Sequence, residues 1–480
     1  MNHIKLLLIV IGMAFSFHTI HGQSANTEFF MRSSFTNTSL NPAKRPDKGY
    51  IGFPGLTNLS LNYKTNTFTL DNFLYPGLGE DGKSAWFLNK NVSTSQFLKE
   101  ISDHNQMHMN LDYTPIGFGF YVKDLFLFVD ASFRTSSDLN IPGDAFRLLK
   151  KGVALNIDEE GKTYDLSNVN ADAIAYSQIG LGGSYPILNQ SLVIGTKLKI
   201  LMGHARIRLN TDKLLLNVEK NQWTMQSQAS MQVVGLTATY DDEGVFDGFD
   251  DDTPSIMNGS GFGFDLGATF KPGKYFEFTE DYAFMNNVTF SAALTDVGYI
   301  KWNKSNASYL STDEAFIDII GNHDIGFEEN SDQSLSEIIE SLSDRFEDAI
   351  KLKEAPNNTK INSSGIRAKL NWGIEYALLE NKINTGILLT SYFNPIKTNT
   401  ELTLAGAYRP ASGFEVGLSY SFIPSYYQSF EFALHFGPGF HITSNYGIFP
   451  VNGDGIPVRT KAFNLQFGVA IPIGAKHINK

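Results

Sequence analysis

Apolar and polar residues alternate strictly through the C-terminal part of the chain, from Glu401 to Ile473. In Gly413–Phe422, Phe414, Val416, Leu418, Tyr420 and Phe422 share one face, and Glu415, Gly417, Ser419 and Ser421 the other. Phe430, Phe432, Leu434 and Phe436 repeat the pattern against Glu431, Ala433 and His435; Phe463, Leu465, Phe467, Val469, Ile471 and Ile473 repeat it against Asn464, Gln466, Gly468 and Ala470. A period of two is the mark of a strand with two unlike faces. A strand crossing a bilayer needs about 9–11 tilted residues, and these runs have that length. The pattern predicts an all-β protein, a transmembrane antiparallel β-barrel.

Similar runs occur earlier, including Thr57–Tyr63, Asn66–Leu70, Pro115–Val122, Leu125–Arg134, Tyr176–Tyr185, Ser191–Leu201, Ala205–Val218, Trp223–Tyr240, Gly261–Phe270, Asn286–Thr295, Tyr299–Asn303 and Ile366–Leu378. Short connections between neighbours imply antiparallel hairpins. The runs amount to between twelve and sixteen spanning strands, and since single-chain bacterial barrels use even numbers, about 14 are expected. The last connections alternate in length: Leu379–Lys382, Asn394–Thr400, Pro410–Ser412, Ile423–Tyr427, Gly437–Gly439 and Gly447–Thr460. Short periplasmic turns and longer outer loops produce that alternation, and a soluble sandwich has no reason to. It puts the C-terminus in the periplasm. Counting back from the C-terminus, the insertion Ser311–Ser364 is extracellular; counting forward from Pro186–Gln190 it falls on the opposite side, so one strand between Tyr240 and Gly365 is miscounted.

Helical spacing is confined to Ser93–Ser102, Pro142–Lys151 and Asp332–Ile350, the last making the insertion partly helical, with Leu335, Ile338, Ile339, Leu342, Phe346 and Ile350 on one stripe. Residues 1–22 read as a secretory signal peptide: Lys5 is the basic head, Leu6–Phe17 the apolar stretch, and Gly22 the small residue before the cut. Residues 23–48 form a polar arm or plug with a turn at Asn41-Pro42. The barrel is expected over 49–473 and a tail over 474–480.

Composition narrows the function. The net charge is −12 with no basic run, which leaves nucleic acid no electrostatic footprint. There is no cysteine, hence no disulfide scaffold, thiolate metal site or lipid-anchored cysteine. His104 and His108 lie four apart but lack a third ligand, and the acids Asp241, Asp242, Glu243, Asp247, Asp250, Asp251 and Asp252 do not follow calcium-loop spacing. They read as a solvated loop. Gly261, Gly263 and Gly267 alternate with Phe262 and Phe264 inside a strand, which suits close packing on the lumen face rather than a nucleotide loop. No catalytic constellation stands out, and no cofactor or metal is called for.

Charges on the polar faces are the candidate site. Lys197, Lys199, Arg206, Arg208, Glu375, Glu415 and Glu431 are expected to face the lumen, because a lipid-facing Lys or Arg near the midplane costs about 2–4 kcal/mol. They either neutralise one another in a packed barrel or form a charged track for a solute.

Several blocks carry a resemblance: Leu40–Ala43 (LNPA), Tyr50–Ser60, Gly195–Gly203 (GTKLKILMG), Gly261–Ala268 and Ala293–Trp302 (ALTDVGYIKW). Together they resemble an outer-membrane β-barrel family of the Bacteroidota of the long-chain fatty-acid transporter (FadL-like) type. The resemblance implies a monomeric barrel of fourteen strands with an N-terminal plug in the cell outer membrane, in contact with its lipid. FadL-like barrels carry hydrophobic solutes; PorV-type relatives shuttle cargo in type IX secretion. Two functions follow: passing or binding a small solute, hydrophobic ones included, or docking a surface or secretion protein on a closed barrel.

Overall fold

The computed structural model describes residues 26–79, 82–89, 91–151, 162–218, 223–250, 257–312, 315–319, 351–355, 363–411, 413–423, 427–437, 439–445 and 461–474. The signal-peptide segment, the Asp332–Ile350 stripe and all but the first residue of the tail lie outside them.

Fourteen strand positions close into an antiparallel ring. The first is split into β1 (Gly49–Gly52) and β2 (Asn58–Thr65). There follow β3 (His104–Val122), β4 (Leu125–Pro142), β5 (Asn170–Ile187) and β6 (Leu192–Val218). A non-spanning return, β7 (Trp223–Val234), precedes β8 (Gly259–Phe270), β9 (Val288–Trp302), β10 (Lys369–Leu378), β11 (Ile383–Tyr392) and β12 (Asn399–Ala411). The last are β13 (Phe414–Ile423), β14 (Tyr427–Phe436), β15 (Phe440–Ser444) and β16 (Ala462–Ile473). Closure is made by β16, which pairs β1 (Gly49 with Ile473) and β2 (Leu59 with Phe467), while β1 and β2 pair β3 on their other edge.

The conflicting strand counts are resolved by β9, because taking β6 as one strand and β7 as non-spanning removes two strands together and leaves the side unchanged. Ser191–Leu201 and Ala205–Val218 are not two strands but one of 27 residues. Its first half pairs β8, and its second half, Arg206–Val218, rises past β8 to pair β7. Likewise Asn286–Thr295 and Tyr299–Asn303 belong to the single strand β9. Asn66–Leu70 is not a strand; it leaves β2 through a turn into a short helix. With these corrections both counts put the insertion 311–364 at the long-loop end. Its described pieces Ala307–Ser311 and Ala315–Ile319 pair β7 there.

Most turns at the opposite end are tight, the longer connection 271–287 between β8 and β9 excepted. Leu188, Asn189 and Gln190 all adopt positive φ (48°, 53° and 66°), as do Leu379, Glu380 and Asn381 (47°, 54° and 68°). Left-handed turns match the strand twist and keep these hairpins short. At the long-loop end, α1 (Thr94–Glu100) and α2 (Gly143–Lys151) pack with Phe68, Phe73, Phe87, Phe97 and Phe146 into an aromatic cap. Ser93 caps α1 by accepting from the Gln96 amide.

The alternation sorts by face as a membrane demands. Leu181, Leu198, Phe262, Trp372, Leu418 and Phe430 point outward and are more than half exposed. Their strand neighbours Lys197, Lys199, Gly263, Asn371, Ser419 and Glu431 point inward. Hydrocarbon cannot hydrogen-bond a strand edge, so only a closed sheet with this apolar exterior can span. Leu198 lies against exposed Leu181 and Phe264 on the flanking strands. Leu198→Arg is therefore expected to lower stability by about 2–4 kcal/mol in denaturant titrations of the lipid-inserted protein; a neutral result would place this face in water.

Candidate functional site: a lumen closed by the N-terminal arm

Residues 26–44 occupy the lumen, and the barrel holds them through its polar faces. The Thr27 amide donates to Glu431 Oε1 at 2.9 Å, and the Thr27 hydroxyl bonds the same oxygen. Glu415 accepts from the Arg32 amide at 3.0 Å and the Ser33 amide at 2.9 Å. Lys44 Nζ pairs with Glu375 Oε1 at 2.6 Å, and Asn384 supports Glu375 at 2.7 Å. All three glutamates singled out by the strand pattern thus hold the arm. Burial lowers the proton affinity of Lys44 and Glu375 opposes that shift.

Small residues make the room. A Cβ on Gly195 would lie 2.3 Å from the Pro42 carbonyl, and one on Gly267 would lie 2.0 Å from Asn41 Oδ1. Asn41 Nδ2 reaches the carbonyls of Ala268 and Ala292 at 3.2 and 3.4 Å. The Asn41-Pro42 turn therefore sits in a cradle cut into β6 and β8. Phe29, Phe30 and Met31 pack against Leu388, Ala405, Ala407 and Ala433 of the wall.

The arm contributes its own buried acid, Glu28. Its carboxylate accepts from Thr443 at 2.7 Å, Ser34 at 2.9 Å and Gln466 at 3.3 Å, and also bonds Thr36. Burial pushes Glu28 up to about 7, against the lowering effect of these hydrogen bonds.

The cationic candidates take part in a second network, toward the long-loop end. Lys197 pairs with Asp130 at 2.6 Å; Lys199 pairs with Asp265 at 2.6 Å and Asp296 at 2.5 Å. Arg206 pairs with Asp172 at 2.7 Å, while Arg208, 40% exposed, stands 3.9 Å from the same acid. Arg134 on β4 reaches Asp296 on β9 at 2.8 Å. Arg367, just before β10, binds Asp138 at 2.8 Å and Asp172 at 2.9 Å. Lys64 on β2 binds Glu401 on β12 at 2.9 Å. These last four pairs join strands that are not neighbours, so they bridge the lumen.

Most bridge residues were missed at the sequence level. Asp130, Arg134 and Asp138 are legible, since they alternate with Val129, Ala131, Phe133 and Leu139 on β4. Asp296 is not: it follows Thr295 on β9, and strict alternation would put the two on opposite faces. A register shift between Phe264 and Leu266 on the partner strand, with φ 57° at Asp296, buries both. A bulge re-aims a side chain in this way.

His108 Nδ1 meets Asp138 at 2.6 Å on β3 while His104 is exposed, and no cluster of three potential metal ligands occurs among the described residues. Asp241, Asp242, Glu243, Asp247 and Asp250 lie in and beside a turn outside the barrel; Asp251 and Asp252 lie outside the described residues.

Between the arm and the bridges is a solvent-open cavity, with Glu28, Thr36 and Ser39 on its arm side and Asn58, Asn110 and Lys369 among its walls. A smaller one adjoins it and shares Asn110, Asp112, Arg134, Asp296 and Lys369.

A transmembrane β-barrel with an occupied lumen is the class these features define. Within that class the chain belongs to the family of unknown function DUF5723, whose model matches residues 42–444. No curated protein matches the sequence. Among solved structures it is similar to a TodX monoaromatic hydrocarbon channel carrying the deltaS2S3 mutation, at 10% identity and TM-score 0.42, covering 94% of this chain and 99% of that one. The Pseudomonas putida toluene transporter TodX aligns at 12% identity and TM-score 0.37 over 91% and 93% of the two chains. The Ralstonia pickettii toluene transporter TbuX aligns at 7% and 0.37 over 94% and 98%. The architecture described above rests on this chain's own strand pairing.

Two outcomes test the seating of the arm. Gly195→Val is expected to strip hydrogen-exchange protection from residues 40–44 while the barrel stays folded. Between the ordinary carboxylate value of 4.5 and about 7, the seated arm holds a proton on Glu28 that a released arm does not. Seating is therefore strongest at low pH and weakens as pH rises through that window. Protection of residues 26–40, corrected for intrinsic exchange rates, should fall accordingly, and Glu28→Gln should make the profile shallower.

Proposed function

We propose that this chain is an outer-membrane β-barrel that binds a small solute in its lumen and passes it across the membrane when the N-terminal arm moves. In this reading residues 1–22 are the export signal, 23–48 the plug, and 49–473 the barrel with the 311–364 insertion on the outer side. The observation that carries it is the solvent-open cavity bounded on one side by the arm and lined by polar side chains of the wall. The arm is held by hydrogen bonds to side chains, the ion pairs Lys44–Glu375 and Asp47–Arg409, and packing rather than by strand pairing, so it can leave without opening the sheet.

The lining bears on the solute. Asn58, Ser60, Asn62, Asn110, Thr114 and Gln466 supply hydrogen-bonding groups, and Phe35, Leu40 and Tyr50 supply apolar wall. A polar or amphiphilic solute can use both; a purely hydrophobic one, of the kind the resemblance implies, can use only the second set. Docking of a secretion or surface protein is the second reading, favoured by the β6–β7 extension that rises beyond the belt.

Liposome permeability separates the two. The intact mature chain is expected to admit small sugars slowly, and a chain lacking residues 26–44 to admit them rapidly. If both folded proteins are equally tight, the transport reading fails and the docking reading stands.

A further inference from the structure

We infer that the lumen site takes a zwitterionic solute of the amino-acid or short-peptide class, with its carboxylate on Lys369 and its ammonium group on Asp112. This deepens the solute-binding reading above and rests on it.

Most lumen charges are committed. Lys199, Arg206, Lys64 and Arg367 hold their acids at 2.5–2.9 Å and are almost fully buried. Asp112 and Lys369 differ from these. Asp112 Oδ1 stands 3.5 Å from Arg134 Nε and its side chain is 32% exposed. Lys369 Nζ stands 3.7 Å from Asp296 Oδ2 and its side chain is 24% exposed. Both line both cavities. They are the loose outer members of one chain, Asp112–Arg134–Asp296–Lys369, whose central Arg134–Asp296 link is tight at 2.8 Å. A solute can displace either outer contact without breaking the bridge.

Position adds to chemistry. Asp112 is on β3 and Lys369 on β10, six places apart in a ring of fourteen. A carboxylate and an ammonium group therefore face the lumen from nearly opposite walls. A molecule carrying both charges, separated by a short spacer, complements that arrangement, whereas a simple anion or cation satisfies one end and crowds the other. Arg367, two residues before Lys369, carries a buried donor, Nη1, with no hydrogen-bond partner among the described residues. An unpaired buried donor is costly, and a carboxylate held at Lys369 is a ligand that would satisfy it.

Calorimetric titration of the full mature chain in detergent tests this with alanyl-alanine, its N-acetyl form and its C-terminal amide. Alanyl-alanine is expected to bind, and each blocked form to bind about tenfold more weakly or worse, the loss of one charge-assisted contact. Asp112→Asn should abolish discrimination against the N-acetyl form alone, and Lys369→Gln discrimination against the amide alone. Asp112→Glu should restore the first, which separates recognition from misfolding. Equal binding of all three probes, or none by any, overturns the inference. If sugars still enter through the arm-deleted barrel, the solute-binding reading survives that failure.

Discussion

Hydrocarbon offers no hydrogen-bond partner to a peptide group, so every spanning strand must pair on both edges, and that one demand organises this protein. The ring closes where β16 meets β1 and β2. Once it is closed, the two faces of each strand have different solvents, lipid outside and lumen inside. Polar residues on the alternating positions then have only one place to go. The concentration of charge in the lumen follows from closure and requires no separate explanation.

Buried charge is costly unless paired, and the lumen satisfies it in two ways. Near the tight turns, Glu375, Glu415 and Glu431 are met by the arm, largely through its backbone amides and Lys44. Toward the long loops, acids and bases from strands across the ring meet one another directly. The first arrangement joins the arm to the barrel by side-chain bonds, ion pairs and packing, and the second is built into the wall. Under the proposed function the first parts when the arm moves, and the second stays in place to meet the solute.

The long outer half of β6 is the other departure from a minimal barrel. It carries the sheet beyond β8, where β7 and the described pieces of the insertion complete it. That extension miscounts as two extra strands when the chain is read linearly, because pairing partners change along a single strand while alternation does not.

Much was legible in the sequence because period-two alternation reports directly on a sheet with two unlike environments. It determined the barrel class, the outward Leu and Phe belt, and the polar faces that carry Lys197, Lys199 and the three glutamates, while the strand number came out of alternation only approximately. What it could not determine were contacts between distant parts of the ring. That Glu431 would meet Thr27, or that Gly195 and Gly267 would cradle Asn41-Pro42, depends on which strands stand around one lumen. The inward turn of Asp296 depends on a bulge set by its partner strand. Local alternation is a property of each strand alone, whereas pairing partners across a lumen exist only after the sheet has closed, and only the tertiary structure decided them.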